Sequence, residues 1–169
     1  MLIVLSGLPG VGKTTIGKAL VAQLSAAYVR VDEIEHALKQ SSGFVHDVGA
    51  AGYMVAFAIA SSNLKLGNTV VADSVNPVAE SRQGWRNVVR ATHGTRLIEV
   101  EIICSDKDEH RRRVEERAPD INGFALPTWA SIVSHDYLPW TEPRLIADTA
   151  TLSVSDAVKM IKRQIDLTG

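Results

Sequence analysis

The residues Gly7-Leu8-Pro9-Gly10-Val11-Gly12-Lys13-Thr14 satisfy the spacing G-x-x-x-x-G-K-[ST] in full. Glycines at this spacing let a backbone wrap a phosphate closely, with several N–H groups pointing inward at the mouth of a helix. Lys13 would then reach the β- and γ-phosphates of a nucleoside triphosphate, and the Thr14 hydroxyl would ligate Mg²⁺. Gly7 through Thr15 are the expected phosphate contacts. With glycine at about 7% of ordinary usage, chance produces such a string about 4 × 10⁻⁵ times per starting position. The context also suits it. An apolar run, Leu2-Ile3-Val4-Leu5, precedes the loop, and helical spacing at Ile16, Leu20, Val21 and Leu24 follows.

The loop needs a scaffold, and the rest of the chain reads as one. Ala27 to Val31 is a second strand closing on Asp32, with a helix from Glu33 to Gln40. A small-residue helix follows from about Asp47 to Leu66. Asn68 to Asp73 is a third strand, Leu97 to Cys104 a fourth, and Leu145-Ile146-Ala147 a short fifth. A helix between the third and fourth strands carries Trp85, Val88, Val89 and Thr92 on one face. Asp106 to Arg117 is a charged helix stopped by Pro119. The last helix opens near Ser153, where Ser153-x-x-Asp156 resembles a capping box. Strands alternating with helices predict an α/β fold whose parallel sheet is covered on both faces. We expect one domain over residues 1–169.

The chain has 169 residues, 18 basic against 19 acidic, with 46% hydrophobic. A formal charge of −1 argues against a protein whose main task is gripping duplex nucleic acid. A single cysteine, Cys104, excludes an internal disulfide framework and fits a reducing cytosol. No apolar stretch is long enough to span a membrane, and MLIVLSGL lacks the charged start of a signal peptide. The expectation is a cytoplasmic protein, monomeric or homodimeric.

Three kinds of triphosphate-binding protein compete. A guanine-specific switch needs Asn/Thr-Lys-x-Asp after a later strand. Here Lys107 and Asp108 are adjacent, so the spacing fails. The string Asp120-Ile-Asn-Gly123 lies after the arginine-rich helix and reads as a turn. Motor ATPases carry further domains for which this length leaves no room. The residues that remain resemble the small P-loop kinases related to gluconate, shikimate and adenylylsulfate kinases, chloramphenicol phosphotransferase and polynucleotide 5′-hydroxyl kinase domains. The resemblance rests on the loop, on Val31-Asp32-Glu33, and on Val70-Val71-Ala72-Asp73 followed by Asn76-Pro77, Arg82 and Trp85. It continues through Arg113-Val-Glu-Glu-Arg117 and Asp148-Thr149. It implies a three-layer αβα fold with a five-stranded parallel sheet in the order 2-3-1-4-5, and a mobile lid over about 111–127. It also implies ATP as the donor and Mg²⁺ as the ion.

Roles follow from chemistry and from that resemblance. Asp32 is the candidate general base, accepting a proton from an attacking hydroxyl, although aspartate also caps helices. Asp73 ends an apolar strand and is expected to serve Mg²⁺ with Thr14 or to serve the acceptor, with a turn cap as the alternative to either. Arg113 and Arg117 lie four apart on one helical face, where guanidinium groups would meet phosphate charge; Lys13 completes the catalytic set. Arg111 and Arg112 read instead as a solvated stripe pairing with Glu115 and Glu116. Arg82, Arg86 and Arg90 also recur every four residues and are expected in water. Arg82, nearest the third strand, is the exception and a candidate acceptor contact beside Glu35 and His36.

Between Val31 and Ser81 there is no arginine, and the only lysines are Lys39 and Lys65. In related kinases this region builds the acceptor pocket. Glu33, Glu35, His36, His46 and Asp47 suit a neutral or cationic small molecule. The resulting expectation is an ATP-dependent phosphotransferase acting on a small-molecule hydroxyl. The alternatives are a nucleotide or polynucleotide 5′-hydroxyl kinase, and a non-catalytic nucleotide-binding switch.

Overall fold

The computed structural model describes residues 1–41, 48–123 and 125–167. His46 and Asp47, named above for the acceptor side, lie outside the described residues. The elements run β1 (Leu2–Ser6), α1 (Lys13–Leu24), β2 (Ala27–Arg30), α2 (Val31–Gln40), α3 (Ala51–Lys65), β3 (Val70–Asp73) and α4 (Ala79–Arg90). They continue with β4 (Leu97–Ile103), α5 (Lys107–Glu116), α6 (Trp129–Val133), β5 (Leu145–Asp148) and α7 (Val154–Leu167). The sheet order is β2-β3-β1-β4-β5, and each neighbouring pair is parallel. This is the P-loop αβα arrangement expected from the sequence.

Side chains on a strand alternate between faces, so β1 feeds two cores at once. Ile3 and Leu5 pack with Ile16 and Leu20 of α1 and with Val158 and Ile161 of α7. Leu2 and Val4 pack with Ala56 and Ala60 of α3 and with Trp85 and Val88 of α4. Leu5 also sits opposite Asp73 in register. The ends of β1 and β3 therefore place the phosphate loop and that carboxylate side by side. Among the described residues no helix is long and apolar enough to cross a membrane.

Two expectations need correction. β2 ends at Arg30, and Val31 already opens α2, so Asp32 rides on the first helical turn rather than closing a strand. It is not the cap either; Arg30 holds that position. Asp32 and Glu33 are both acidic residues of the first turn, where the helix dipole favours negative charge. The second correction concerns the arginines of α4, of which only Arg90 is exposed. Arg86 turns inward onto Glu99 Oε2 of β4 (3.0 Å) and Glu142 Oε1 (2.6 Å). Arg82 is 2% exposed. A helix face that reads as solvated in isolation is covered once the 137–142 segment folds over it.

Smaller features follow the sequence closely. Ser153 Oγ accepts from the Asp156 N–H at 3.1 Å and so caps α7. Asp106 caps α5 by accepting from the N–H groups of Asp108 and Glu109.

Candidate active site

The phosphate loop joins the buried end of β1 to α1. Gly7 (φ 136°) passes so close to β4 that a Cβ there would lie 2.2 Å from the Ile102 carbonyl oxygen. Gly10 (φ 85°) faces α5, where a Cβ would meet Val114 Cγ2 at 2.5 Å. The glycines of the motif are thus demanded by the fold as well as by a phosphate. α1 starts at Lys13 with no side-chain cap and no acidic residue in its first turn. Its free N–H groups face the loop, an electropositive end suited to an anion.

Lys13 is buried and its Nζ donates to the Leu8 carbonyl across the loop at 3.0 Å. Burial lowers its pKa, while the charges of Asp73 and Asp32 pull the other way. Thr14 Oγ1 donates to Asp73 Oδ2 at 2.7 Å, and Tyr28 OH donates to the same oxygen at 2.7 Å. Burial, then the charge of Asp73, raises the Tyr28 pKa and keeps the phenol a donor. These hydroxyl and carboxylate oxygens are hard donors, the kind Mg²⁺ takes. Among the described residues no three His, Cys, Asp or Glu side chains group to hold a metal unaided. An ion here would depend on phosphate oxygens for the rest of its shell, as Mg²⁺ in nucleotide sites does.

The far wall comes from α5 and the turn after β5. Arg113 donates from Nη1 to Thr149 Oγ1 (2.8 Å) and from Nη2 to the Thr149 carbonyl (3.0 Å), with Nε on Glu109 (2.7 Å). Thr149 Oγ1 in turn lies 2.9 Å from the Val11 carbonyl of the phosphate loop. His110 Nε2 bonds the Pro9 carbonyl at 2.8 Å. Arg117 makes no hydrogen bond or ion pair among the described residues. Burial lowers its pKa, against the pull of Asp32 and Asp120. It is a cation held ready beside the cleft.

These parts enclose a cavity of about 590 Å³ whose lining includes Lys13, Thr14, Thr15, Asp32, Arg113 and Arg117. The Asp32 side chain is 35% exposed into it. Asp73 lies beneath, bonded to Thr14. Gly7, Leu8 and Val11 line a smaller cavity on the opposite side of the loop with Cys104 and His110. Arg111 pairs with Glu115, and Arg112 with Glu109 and Glu116, as an exposed stripe should.

The three acceptor candidates do not line this cleft. Glu35 lies over α3, where Gly52 leaves room for it: a Cβ at Gly52 would fall 2.3 Å from Glu35 Cγ. His36 Nε2 donates to the Asn122 carbonyl at 2.9 Å. Arg82 is a correction. Its Nε donates to Asn76 O (3.0 Å), Nη1 to Pro139 O (3.2 Å) and Nη2 to Leu138 O and Pro77 O, with Trp140 stacked 4.3 Å away. A guanidinium already serving four carbonyls and an aromatic face is a strut, not an acceptor contact. Asn76 shares the task. At φ 52° it bonds Ser6, Tyr53, Trp85 and Arg82, tying the turn after β3 to the end of β1.

Tyr28 and Asp120 escape a reading of the sequence as site residues, and so does the pairing of Asp120 with Arg30. Arg30 is 5% exposed on its side chain and pairs with Asp120, 90 residues away, through Nη1 at 2.7 Å and Nη2 at 3.1 Å. Burial opposes its charge, but the bond from Asp120 and the charges of Asp73, Asp120 and Asp32 outweigh that and raise its pKa. No local signal marks such a pair. The one available clue is an arginine in an otherwise apolar strand.

A family model described as "AAA domain" matches residues 2–128 of the chain. No curated protein sequence matches it. Among solved structures, APS kinase CysC of Mycobacterium tuberculosis, in complex with AMPPNP and APS, is similar at 25% identity and TM-score 0.69. That match covers 99% of this chain and 96% of that one. Kti12 of Chaetomium thermophilum, in complex with ADP-AlF3, is similar at 19% identity and TM-score 0.71, covering 98% of each chain. A gluconokinase from Sinorhizobium meliloti 1021 is similar at 16% identity and TM-score 0.63, covering 99% and 96%.

Proposed function

Since the chain belongs to the AAA domain family of P-loop kinase-type proteins, we propose that it transfers the γ-phosphate of ATP to a hydroxyl of a small molecule. The observation that carries this reading is one cleft in which Lys13, Thr14, Asp32, Arg113 and Arg117 converge. In this reading the triphosphate lies along the loop, its charge met by backbone N–H groups, Lys13, Arg113 and Arg117. The acceptor oxygen attacks the γ-phosphorus as the bond from that phosphorus to the β-phosphate bridging oxygen breaks. ADP leaves, and the hydroxyl proton passes to Asp32. Asp32 suits the task because its carboxylate opens into the cleft.

Thr14 and Asp73 would hold Mg²⁺, with Tyr28 fixing the Asp73 carboxylate. The ion would neutralise charge on the β- and γ-phosphate oxygens. Residues 1–169 act as one kinase domain of the cytoplasm, monomeric or homodimeric, with a lid over about 111–127. For the acceptor, the balance of charge supports a neutral or cationic molecule. Asp32 and Glu33 stand in the first turn of α2, and the buried arginine beside them, Arg30, already has Asp120 as its partner.

Two assays on the purified chain test this: AMP-PNP·Mg²⁺ affinity, and ADP release across a panel of polyols, amino alcohols and nucleosides. The reading requires nanomolar-to-micromolar nucleotide binding and acceptor-dependent ADP release. Nucleotide binding with no transfer to any acceptor would support the non-catalytic switch. Saturable binding of a nucleoside monophosphate, with none of the neutral polyols, would support the nucleotide kinase.

A further inference from the structure

The segment after α5 crosses the cleft and is fastened on its far side. Asp120 accepts from both terminal nitrogens of Arg30 and from Lys18 Nζ at 3.2 Å. Two residues on, the Asn122 carbonyl accepts from His36 of α2. Nothing in the proposed chemistry uses Asp120.

Arg30 is too buried for water to balance its charge, so carboxylates must. Four face it. Asp120 is bidentate at 2.7 and 3.1 Å, Glu33 Oε1 lies at 3.4 Å, Asp32 Oδ2 at 3.8 Å and Asp73 Oδ2 at 4.0 Å. Lys13 and Arg117 stand on the same side as further cations. Two parallel N–H···O bonds to one carboxylate form the strong arrangement, and Asp120 alone has it. Arg30 Nε, buried and without a hydrogen-bond partner, shows that the guanidinium has spare donor capacity. If Asp120 leaves, a movement of about 1 Å brings Nη2 into hydrogen-bond range of Asp32. A carboxylate held by a guanidinium is a weaker proton acceptor, because its lone pairs are spent and its charged form is favoured.

We propose that Asp120 is a positioning residue: by occupying both terminal nitrogens of Arg30 it seats the 117–123 loop over the cleft and keeps the guanidinium off Asp32. The seating of the loop stands on geometry alone, whereas the effect on Asp32 rests on the kinase reading above. Closing the loop and freeing the base are then one event.

The loop carries its own probe, the tryptic bond after Arg117. Cleavage there is timed in the full chain for wild type, Asp120→Asn, Asp120→Ala and Lys18→Ala, with and without AMP-PNP and Mg²⁺. Both Asp120 variants should be cut about tenfold faster. Lys18→Ala, which removes only an exposed arm, should change less than about twofold. Cleavage of both Asp120 variants at the wild-type rate overturns the proposal. Failure of wild type to bind AMP-PNP at all overturns the nucleotide-site reading instead, and leaves the loop result standing. With an acceptor in hand, Asp120→Asn should lower kcat about tenfold at unchanged KM for ATP. Adding Arg30→Gln should restore part of that loss, since the Arg30 guanidinium is then no longer beside Asp32 to capture it. A double variant slower than the single one contradicts that part of the proposal.

Discussion

The two walls of the cleft are built by different means. The nucleotide wall is mostly backbone: a glycine loop, a helix end and carbonyl contacts from Lys13, His110 and Thr149. The facing wall, proposed for the acceptor, is mostly side chains joined across long sequence separations, as in Arg30 with Asp120. A backbone cradle recognises what every nucleoside triphosphate shares and tolerates little change. A side-chain wall can be rewritten one residue at a time without disturbing the fold beneath it.

Substitutions on the two walls should therefore separate binding from chemistry. The largest effect belongs to Lys13→Ala, which should weaken ATP binding at least 100-fold by calorimetry and abolish transfer. Next, Asp32→Asn should leave ATP affinity within about twofold while slowing transfer by about 10²–10⁴. If both variants lost binding equally, the division between the walls would fail. Arg82→Met should cost about 3 kcal/mol in urea unfolding, because four carbonyls lose a charged donor, yet leave nucleotide affinity of the folded protein unchanged. Normal stability with lost acceptor binding would return Arg82 to the acceptor wall. The smallest effect is that of Tyr28→Phe. It removes one of two donors to Asp73 Oδ2, about 1 kcal/mol of stability, and should raise the Mg²⁺ concentration for half-maximal nucleotide binding about threefold.

The same contrast explains what the sequence disclosed. The phosphate loop and the five strands were legible because each depends on short-range spacing or on a hydrophobic period, whereas the strand order came from the resemblance to small P-loop kinases. Asp32, Asp73, Arg113 and Arg117 could be picked out as candidates because the carboxylates follow short apolar runs, the arginines stand at helical spacing, and both match the family resemblance. Arg86 and Arg82 misled in different ways: the four-residue period placed Arg86 in water and the nearness of Arg82 to the third strand marked it for the acceptor, and only the fold reveals that the 137–142 segment engages both. Asp120 misled in the other direction. Asp-x-x-Gly is good turn chemistry, and nothing within ten residues indicates that its carboxylate meets Arg30. In the small-residue helix α3, Gly52 admits Glu35, a close approach that the composition alone does not locate.

The central claim is that this cleft moves a phosphoryl group onto a hydroxyl with Asp32 as the proton acceptor. The direct measurement incubates wild type and Asp32→Asn with γ-labelled ATP, Mg²⁺ and a pooled set of small alcohols, and follows the label by mass spectrometry. The account predicts a labelled phosphate monoester with wild type, and its rate reduced at least 100-fold in Asp32→Asn while both proteins bind AMP-PNP equally. Tight AMP-PNP binding with no labelled product from wild type, or equal product from the two proteins, would contradict it.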